Sequence, residues 1–220
     1  MKPGASRYVP ALGFHAFTPL YDIILRITMK DPAFKITLLE QAALRPGEHV
    51  LDVGCGTGTL GIRVAMLVGE SGEVHGIDLD AAMLSRAEAK AGAAGVSLRL
   101  QEGNATELPY PDARFDRALS SLFLHHLNRK QKQQTLAGIH RVLKPGGQLH
   151  IADFGIPSNP LTAFLFFFLR MLDGFDATRD NVRGTIPELM RDAGFVDVHT
   201  QPCAYPIFGT MVSYHGRKAG

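Results

Sequence analysis

The chain has 220 residues, 45% hydrophobic and 20% charged, an ordinary globular composition and enough for one domain with a full core. Its 23 Lys and Arg nearly balance 21 Asp and Glu, and a net charge of +2 gives no electrostatic reason to expect a nucleic-acid partner. Cys55 and Cys203 stand far apart in no metal spacing, and no leader-like stretch opens the sequence, so both are expected as reduced thiols of a cytoplasmic protein.

Two helices are predicted before the first strand. In "TPLYDIILRITM", Thr18 is the cap and Pro19 the first helical residue, and Leu20, Ile23, Ile24 and Ile27 form one apolar stripe. Asp31 and Pro32 repeat the start signal for a helix reaching about residue 44. These two helices pack on an open sheet edge or over the mouth of the site. From there, short β-branched runs alternate with helical patterns, the mark of a parallel α/β sheet. "EHVLDVG" is strand one and "TLGIRVAMLVG" its helix; "EVHGIDLD" is strand two, and "AAMLSRAEAKAGAAG" is a helix ending in glycine. "VSLRLQEG" and "FDRALSSL" are strands three and four. A helix over 129–143 stops at the turn "KPGG" before strand five, "QLHIADFG". The apolar run "LTAFLFFFLRML" is interrupted by Arg170 and is too short to span a membrane, which takes roughly 20 residues. A last helix, "IPELMRDAG", precedes two strand-like runs, "FVDVHT" and "GTMVSYHG".

Between strand one and its helix stands "DVGCGTGTLG". From Gly56 it reads G-x-G-x-x-G, the phosphate loop of dinucleotide-binding proteins; from Asp52 it reads D-x-G-x-G-x-G. Glycines there let a ligand approach the backbone, and the helix start behind them favours negative charge. Asp78, 20 residues past Gly58, suits ribose hydroxyls under either reading. Asp52 separates them, because an acid at the mouth repels a pyrophosphate. It suits a ligand with a cationic ammonium and sulfonium, S-adenosylmethionine. The Tyr214-x-x-x-Lys218 spacing used by some reductases needs a helix, and here it lies in a predicted strand.

"VLDVGCGTGTLG", "VHGIDLDAAML", "EGNATELPYPDARFDRALSS", "LHHL" and "IHRVLKPGGQLHIADF" occur in that order and at the usual separations. Together they resemble the class I S-adenosylmethionine-dependent methyltransferases, in particular the small-molecule branch with the ubiquinone/menaquinone-biosynthesis-type enzymes. The resemblance implies that Gly54, Gly56 and Gly58, with Cys55 among them, lie against the methionine part of the cofactor, with Asp52 at its amino end. It places both ribose hydroxyls on Asp78, the adenine near Leu79 and Met83, and Ser120 to Phe123 beside the cofactor. Where the family has Asp-Ala after strand three, this chain has Asn104–Ala105, which still offers an acceptor but no charge. Plainer readings stand alongside: Asp78 as a helix cap, Met83 as core, Asn104 as a turn residue and Cys55 as a small side chain in a tight loop.

Methyl transfer needs a base only if the acceptor must lose a proton. Candidates near the carboxyl ends of the strands are His125, His126 and Asp153, against packing roles for the histidines and a loop cap for Asp153. No metal is expected, because Ser120 and Ser121 stand where metal-assisted relatives carry an acid. The base-amino and arsenic-methylating classes are excluded by "SSLF" after strand four and by having only two cysteines. Pro202–Cys203 lies far in sequence from where a Pro-Cys nucleophile stands, so a cytosine-C5 enzyme is not expected. Phe164, Phe166, Phe167 and Phe168, with Phe14, Phe17 and Tyr21, form an expected apolar wall for a small aromatic or lipid-like acceptor, and His15 and Tyr21 of the N-terminal cover also reach in as base candidates at the acceptor; a packed helix or a dimer contact competes for the same apolar residues. The fold expected is one α/β domain, Rossmann-like and doubly wound, with a mostly parallel seven-stranded sheet and helices on both faces; the resemblance implies an antiparallel last strand. Within it, 1–46 is a helical cover, 47–154 the cofactor-binding core, 155–184 an apolar lid, and 185–220 the closing helix and strands. The expected activity is methyl transfer from S-adenosylmethionine to a small apolar acceptor, releasing S-adenosylhomocysteine, with peripheral membrane contact and a homodimer both open. The alternatives are a non-catalytic scaffold that binds the same cofactor and a dinucleotide-dependent reductase.

Overall fold

The computed structural model describes residues 33–204 and 210–220; the helix expected before residue 30, with Phe14, His15, Phe17 and Tyr21, lies outside the described residues. Helix α1 (Ala33–Ala42) leads into β1 (His49–Val53), α2 (Thr59–Val68), β2 (Glu73–Asp78), α3 (Ala81–Ala93) and β3 (Arg99–Glu102). Then come β4 (Phe115–Ser121), α4 (Arg129–Val142) and β5 (Leu143–Phe154), followed by α5 (Pro160–Asp173), α6 (Arg179–Arg183) and α7 (Ile186–Asp192). Strands β6 (Phe195–Ala204) and β7 (Met211–Lys218) close the described chain. The seven strands form one sheet in the order β3-β2-β1-β4-β5-β7-β6. Only β7 is antiparallel to its neighbours, as expected for the last strand.

Strand alternation sends β1 to both faces. Leu51 and Val53 join Ile77, Leu149 and Ile151 beneath α4 and α7. Val50 joins Leu119, Ala152 and Phe154 beneath α1 and α2, where Phe166 of α5 also enters. Both faces of a mostly parallel sheet are thus covered, which explains its nearly continuous apolar strands.

Of two expectations at the strand ends, the first is corrected and the second, that the Tyr214–Lys218 spacing lies in a strand, is met. "KPGG" does not separate α4 from β5: β5 already begins at Leu143, which pairs with Phe115 before the register shifts and resumes at Arg117–Gln148. Gly146 takes the left-handed backbone (φ 78°) that such an irregularity needs. Tyr214 and Lys218 both lie on β7 and serve the core, the phenol donating to Phe154 O at 3.4 Å and the ammonium to Leu143 O at 2.8 Å.

Strands β5, β7 and β6 carry a row of histidines, His150, His215 and His199, in register. Their rings stack with centroids 4.6 Å and then 6.2 Å apart. Burial, then the neighbouring His215 and Arg117, push the His150 imidazole down to about 3. The unfolded chain therefore takes up a proton near pH 6.5 that the folded chain refuses until about pH 3. Stability contributed by neutral His150 is complete above pH 6.5 and is lost as pH falls from there towards 3. Denaturant midpoints at pH 7 and pH 5 should show His150→Gln losing about 2 kcal/mol less than wild type over that interval.

Candidate functional site

The strand order reverses between β1 and β4, and at such a switch point open α/β sheets bind ligands beyond the carboxyl ends of their strands. The glycine loop sits there. Gly54 and Cys55 both donate to Ile77 O, at 2.9 and 3.1 Å, hanging the loop on the end of β2. Gly54 has φ 70°, and a Cβ on it would lie 2.3 Å from the Phe123 ring. Gly58 has φ 70° as well, and a Cβ there would lie 2.9 Å from Ala87. Conformation and space both require glycine at these two positions.

Asp78 faces this loop. Its Oδ2 accepts from Gly56 N at 2.8 Å and its Oδ1 from Asp80 N at 3.0 Å. Asp80, not Asp78, caps α3, accepting from Ala82 N and Met83 N, so the cap reading of Asp78 is displaced. Leu79 is exposed and Met83 half-buried beside it. Asn104 closes a short 3-10 turn over Ala105–Glu107, its Oδ1 accepting from Thr106 N at 3.0 Å, and Ala105 behind it is buried. Ser120 donates to Val53 O at 2.9 Å, tying β4 to β1 at the switch point. Cys55 is buried with Sγ packed where a Cβ on Gly76 would sit, a small side chain in a tight loop.

Among the described residues, Asp52 differs from every other acid. It is 1% exposed, and neither carboxyl oxygen has a hydrogen-bond donor. A cradle of glycines, a buried acid without a donor and a ribose-type acid 26 positions later suit a zwitterionic adenosyl ligand.

A second buried cluster lies at the ends of β4 and β5. Leu122 leaves β4 with φ 53°, its amide bonded to Ala152 O at 2.9 Å, and this left-handed step turns Phe123 over Gly54. The 3-10 turn Leu124–His126 follows. His125 Nδ1 lies 2.6 Å from Asp153 Oδ1, and His125 N donates to Asp153 Oδ2 at 3.2 Å. Phe154 N donates to the same Oδ1 at 2.7 Å. Burial pushes the Asp153 carboxyl up, but the charge and hydrogen bond of His125 and the Phe154 amide outweigh it and hold it below the usual range. An ionised carboxylate only accepts, so Nδ1 carries the proton of this pair. His126 lies against His125, its ring tilted by 44° with centroids 4.0 Å apart, and is itself exposed.

Sequence reasoning missed the clamp behind this pair. Lys132 is fully buried and donates to Leu127 O at 2.6 Å and to Ala177 O, with Asp180 Oδ2 at 3.8 Å. Arg129 pairs with Asp180 Oδ1 at 2.5 Å, and Asn181 donates to Phe154 O at 2.9 Å. The segment after α5 is thereby tied, through Lys132 of α4, to the residue after the His125-bearing turn and, through Asn181, to the end of the Asp153-bearing strand. The signal was present: Lys132, Leu136, Ile139 and Val142 fall on one stripe of α4, and all are buried.

On α5 the aromatic rings split. Phe166 is buried against Phe154, whereas Phe164, Phe167 and Phe168 are 46–60% exposed. Arg170 lies over Phe175 at 4.8 Å. Among the described residues no helix is long and apolar enough to cross a membrane, and no group of three or more His, Cys, Asp or Glu residues could hold a metal ion.

Comparison with known proteins accords with this geometry. Residues 50–147 match the model of a methyltransferase domain. The demethylmenaquinone methyltransferase of Symbiobacterium thermophilum is 32% identical over 203 residues, covering 81% of this chain and 79% of that protein. The ubiquinone/menaquinone biosynthesis C-methyltransferase UbiE of Azotobacter vinelandii is 31% identical over 204 residues, covering 83% and 80%. Among solved structures, a SAM-dependent methyltransferase from Aquifex aeolicus superposes with a TM-score of 0.68 at 21% identity, covering 91% of this chain and 97% of that one. The [4+2]-cyclase SpnF superposes at 0.65, also with 21% identity, over 84% of this chain and 79% of its own. At such identity the superpositions show the fold alone.

Proposed function

This chain belongs to the SAM-dependent methyltransferases, on the branch similar to the ubiquinone/menaquinone-biosynthesis enzymes, and from that premise we propose that its acceptor is an apolar small molecule bearing an ionisable hydroxyl, of the phenol or quinol class. The observation that carries the acceptor class is the buried His125–Asp153 pair, set among Phe154, Phe166 and Phe123. Bound S-adenosylmethionine supplies an electrophilic methyl group on sulfonium.

The chain does the rest. Gly54, Gly56 and Gly58 present backbone to the methionine part, with Cys55 between them, Ser120 alongside and Asp52 at the ammonium. Asp78 keeps lone pairs for the ribose hydroxyls while its other bonds order the loop. Asn104 offers an uncharged acceptor to the adenine amino group, with Ala105 beneath it and Leu79 and Met83 alongside. Asp153 fixes the tautomer of His125, whose Nε2 takes the acceptor's hydroxyl proton. The oxygen, or a ring carbon conjugated to it, then carries the electron pair that forms the new bond to methyl. His126 packs its ring against that of the base. Exposed Phe164, Phe167 and Phe168 give a lipophilic acceptor an outer apolar face to approach along, including one delivered from a membrane surface.

Incubation of the protein with methyl-labelled cofactor and a panel of acceptors tests this reading. Label should pass to apolar phenols and quinols and not to amines or carboxylates. Transfer confined to amines or carboxylates would sink the acceptor class.

A further inference from the structure

Asp52 has the wrong surroundings for a charge and the right ones for a neutral acid. Burial without a donor to either oxygen penalises its ionised form. Few groups face it. Lys35 of α1 attracts it, and Asp78 at the end of β2 repels it. The Cys55 thiol in the loop is itself held up by burial and then by Asp52. The Gly61 amide of α2 approaches without completing a hydrogen bond, and a Cβ on Gly61 would lie 3.5 Å from Asp52 Oδ2. With burial dominant, the carboxyl is pushed up to about 7.

We propose that the glycine loop takes its cofactor with the release of a proton: Asp52 is neutral while the loop is empty and ionises against the ligand's α-ammonium. This rests on the cofactor placement given above. Asp52 thereby becomes a specificity group as well, since only a ligand with an amino-acid end provides the cation that makes its ionisation favourable. Below neutral pH, each further unit of acidity should weaken binding by up to about tenfold.

The test is calorimetric titration with S-adenosylhomocysteine at pH 6.3 in three buffers of different ionisation enthalpy. An α-amino group ordinarily titrates near 7.7–8.0, so at this pH the ligand is already an ammonium and the released proton comes from the protein. Wild type should release roughly 0.8 proton per ligand bound. 5′-Methylthioadenosine, which has the nucleoside but no amino-acid end, should release none, and neither should Asp52→Asn with S-adenosylhomocysteine. Proton-neutral binding of S-adenosylhomocysteine by wild type, or equal release with methylthioadenosine or in Asp52→Asn, would overturn the proposal while leaving the cofactor in place. If Asp52→Asn fails to bind or fold, the two ligands on wild type still decide. Failure of S-adenosylhomocysteine to bind at any pH from 6 to 8 would overturn the cofactor placement and this inference together.

Discussion

Asp78→Ala should abolish measurable binding of S-adenosylmethionine and leave the fold intact. The carboxylate stands at the exit of β2 and is half-buried, with no apolar packing that depends on it. It holds Gly56 N at 2.8 Å and Asp80 N at 3.0 Å, so its loss loosens the loop as well as removing the ribose acceptor. Hydrogen bonds to a charged group contribute about 1.5–3 kcal/mol each, and losing two on the ribose weakens binding by roughly 100-fold to 10⁴-fold. Asp78→Asn keeps the shape without the charge and should fall between. Calorimetry reads the affinity and thermal melting reads the fold. Undiminished binding by a folded Asp78→Ala protein would remove the ribose role.

His125→Gln should lower kcat by about 10²–10⁴ with little change in cofactor affinity, the usual contribution of a positioned base. A merely structural histidine would predict a different pattern: lower stability, altered KM and an unchanged pH profile. The expected profile is specific. Without the base, the rate must wait for the acceptor to ionise by itself, so it should climb about tenfold per pH unit and approach wild type near pH 10, the ordinary range of a phenol. Asp153→Asn should behave likewise, because an amide can leave His125 in the wrong tautomer. A His125→Gln enzyme as fast as wild type at pH 7 would contradict the base.

The parts of this fold legible in the sequence are those written locally. "DVGCGTG" after an apolar run placed β1, its loop and the start of α2, because glycine is needed at the left-handed turns of Gly54 and Gly58 whatever surrounds them. Alternation of strands and helices placed the parallel core, and family resemblance supplied the reversed last strand. What stayed hidden depends on neighbours distant in sequence. Nothing within a few residues of Asp153 says that His125, 28 positions away, will sit 2.6 Å from it. Nor does "FLFFFLR" say which ring turns inward; Phe166 does, because Phe154 meets it there. The α4–β5 boundary was misplaced because "KPGG" carries a strong stop signal, and pairing of Leu143 with Phe115 overrides it. The donorless state of Asp52 is likewise a property of the packed structure, since any strand could carry an acid at that position.

The same division explains why the cofactor was easier to read than the acceptor. Loop glycines and the proposed ribose acid are short-range motifs, whereas the proposed acceptor site draws on residues of β5, α5 and the turn after β4 together. Under the proposed function, exposed Phe164, Phe167 and Phe168 narrow the acceptor by chemistry and not by shape.

Calorimetric titration of the purified protein with S-adenosylmethionine, S-adenosylhomocysteine and NADH tests the glycine loop most directly. Saturable binding of the two adenosyl ligands, with none for NADH, is the predicted result: Asp52 gains a partner in an ammonium and finds none in a pyrophosphate. Binding of NADH alone would contradict it and restore the phosphate-loop reading of the same glycines.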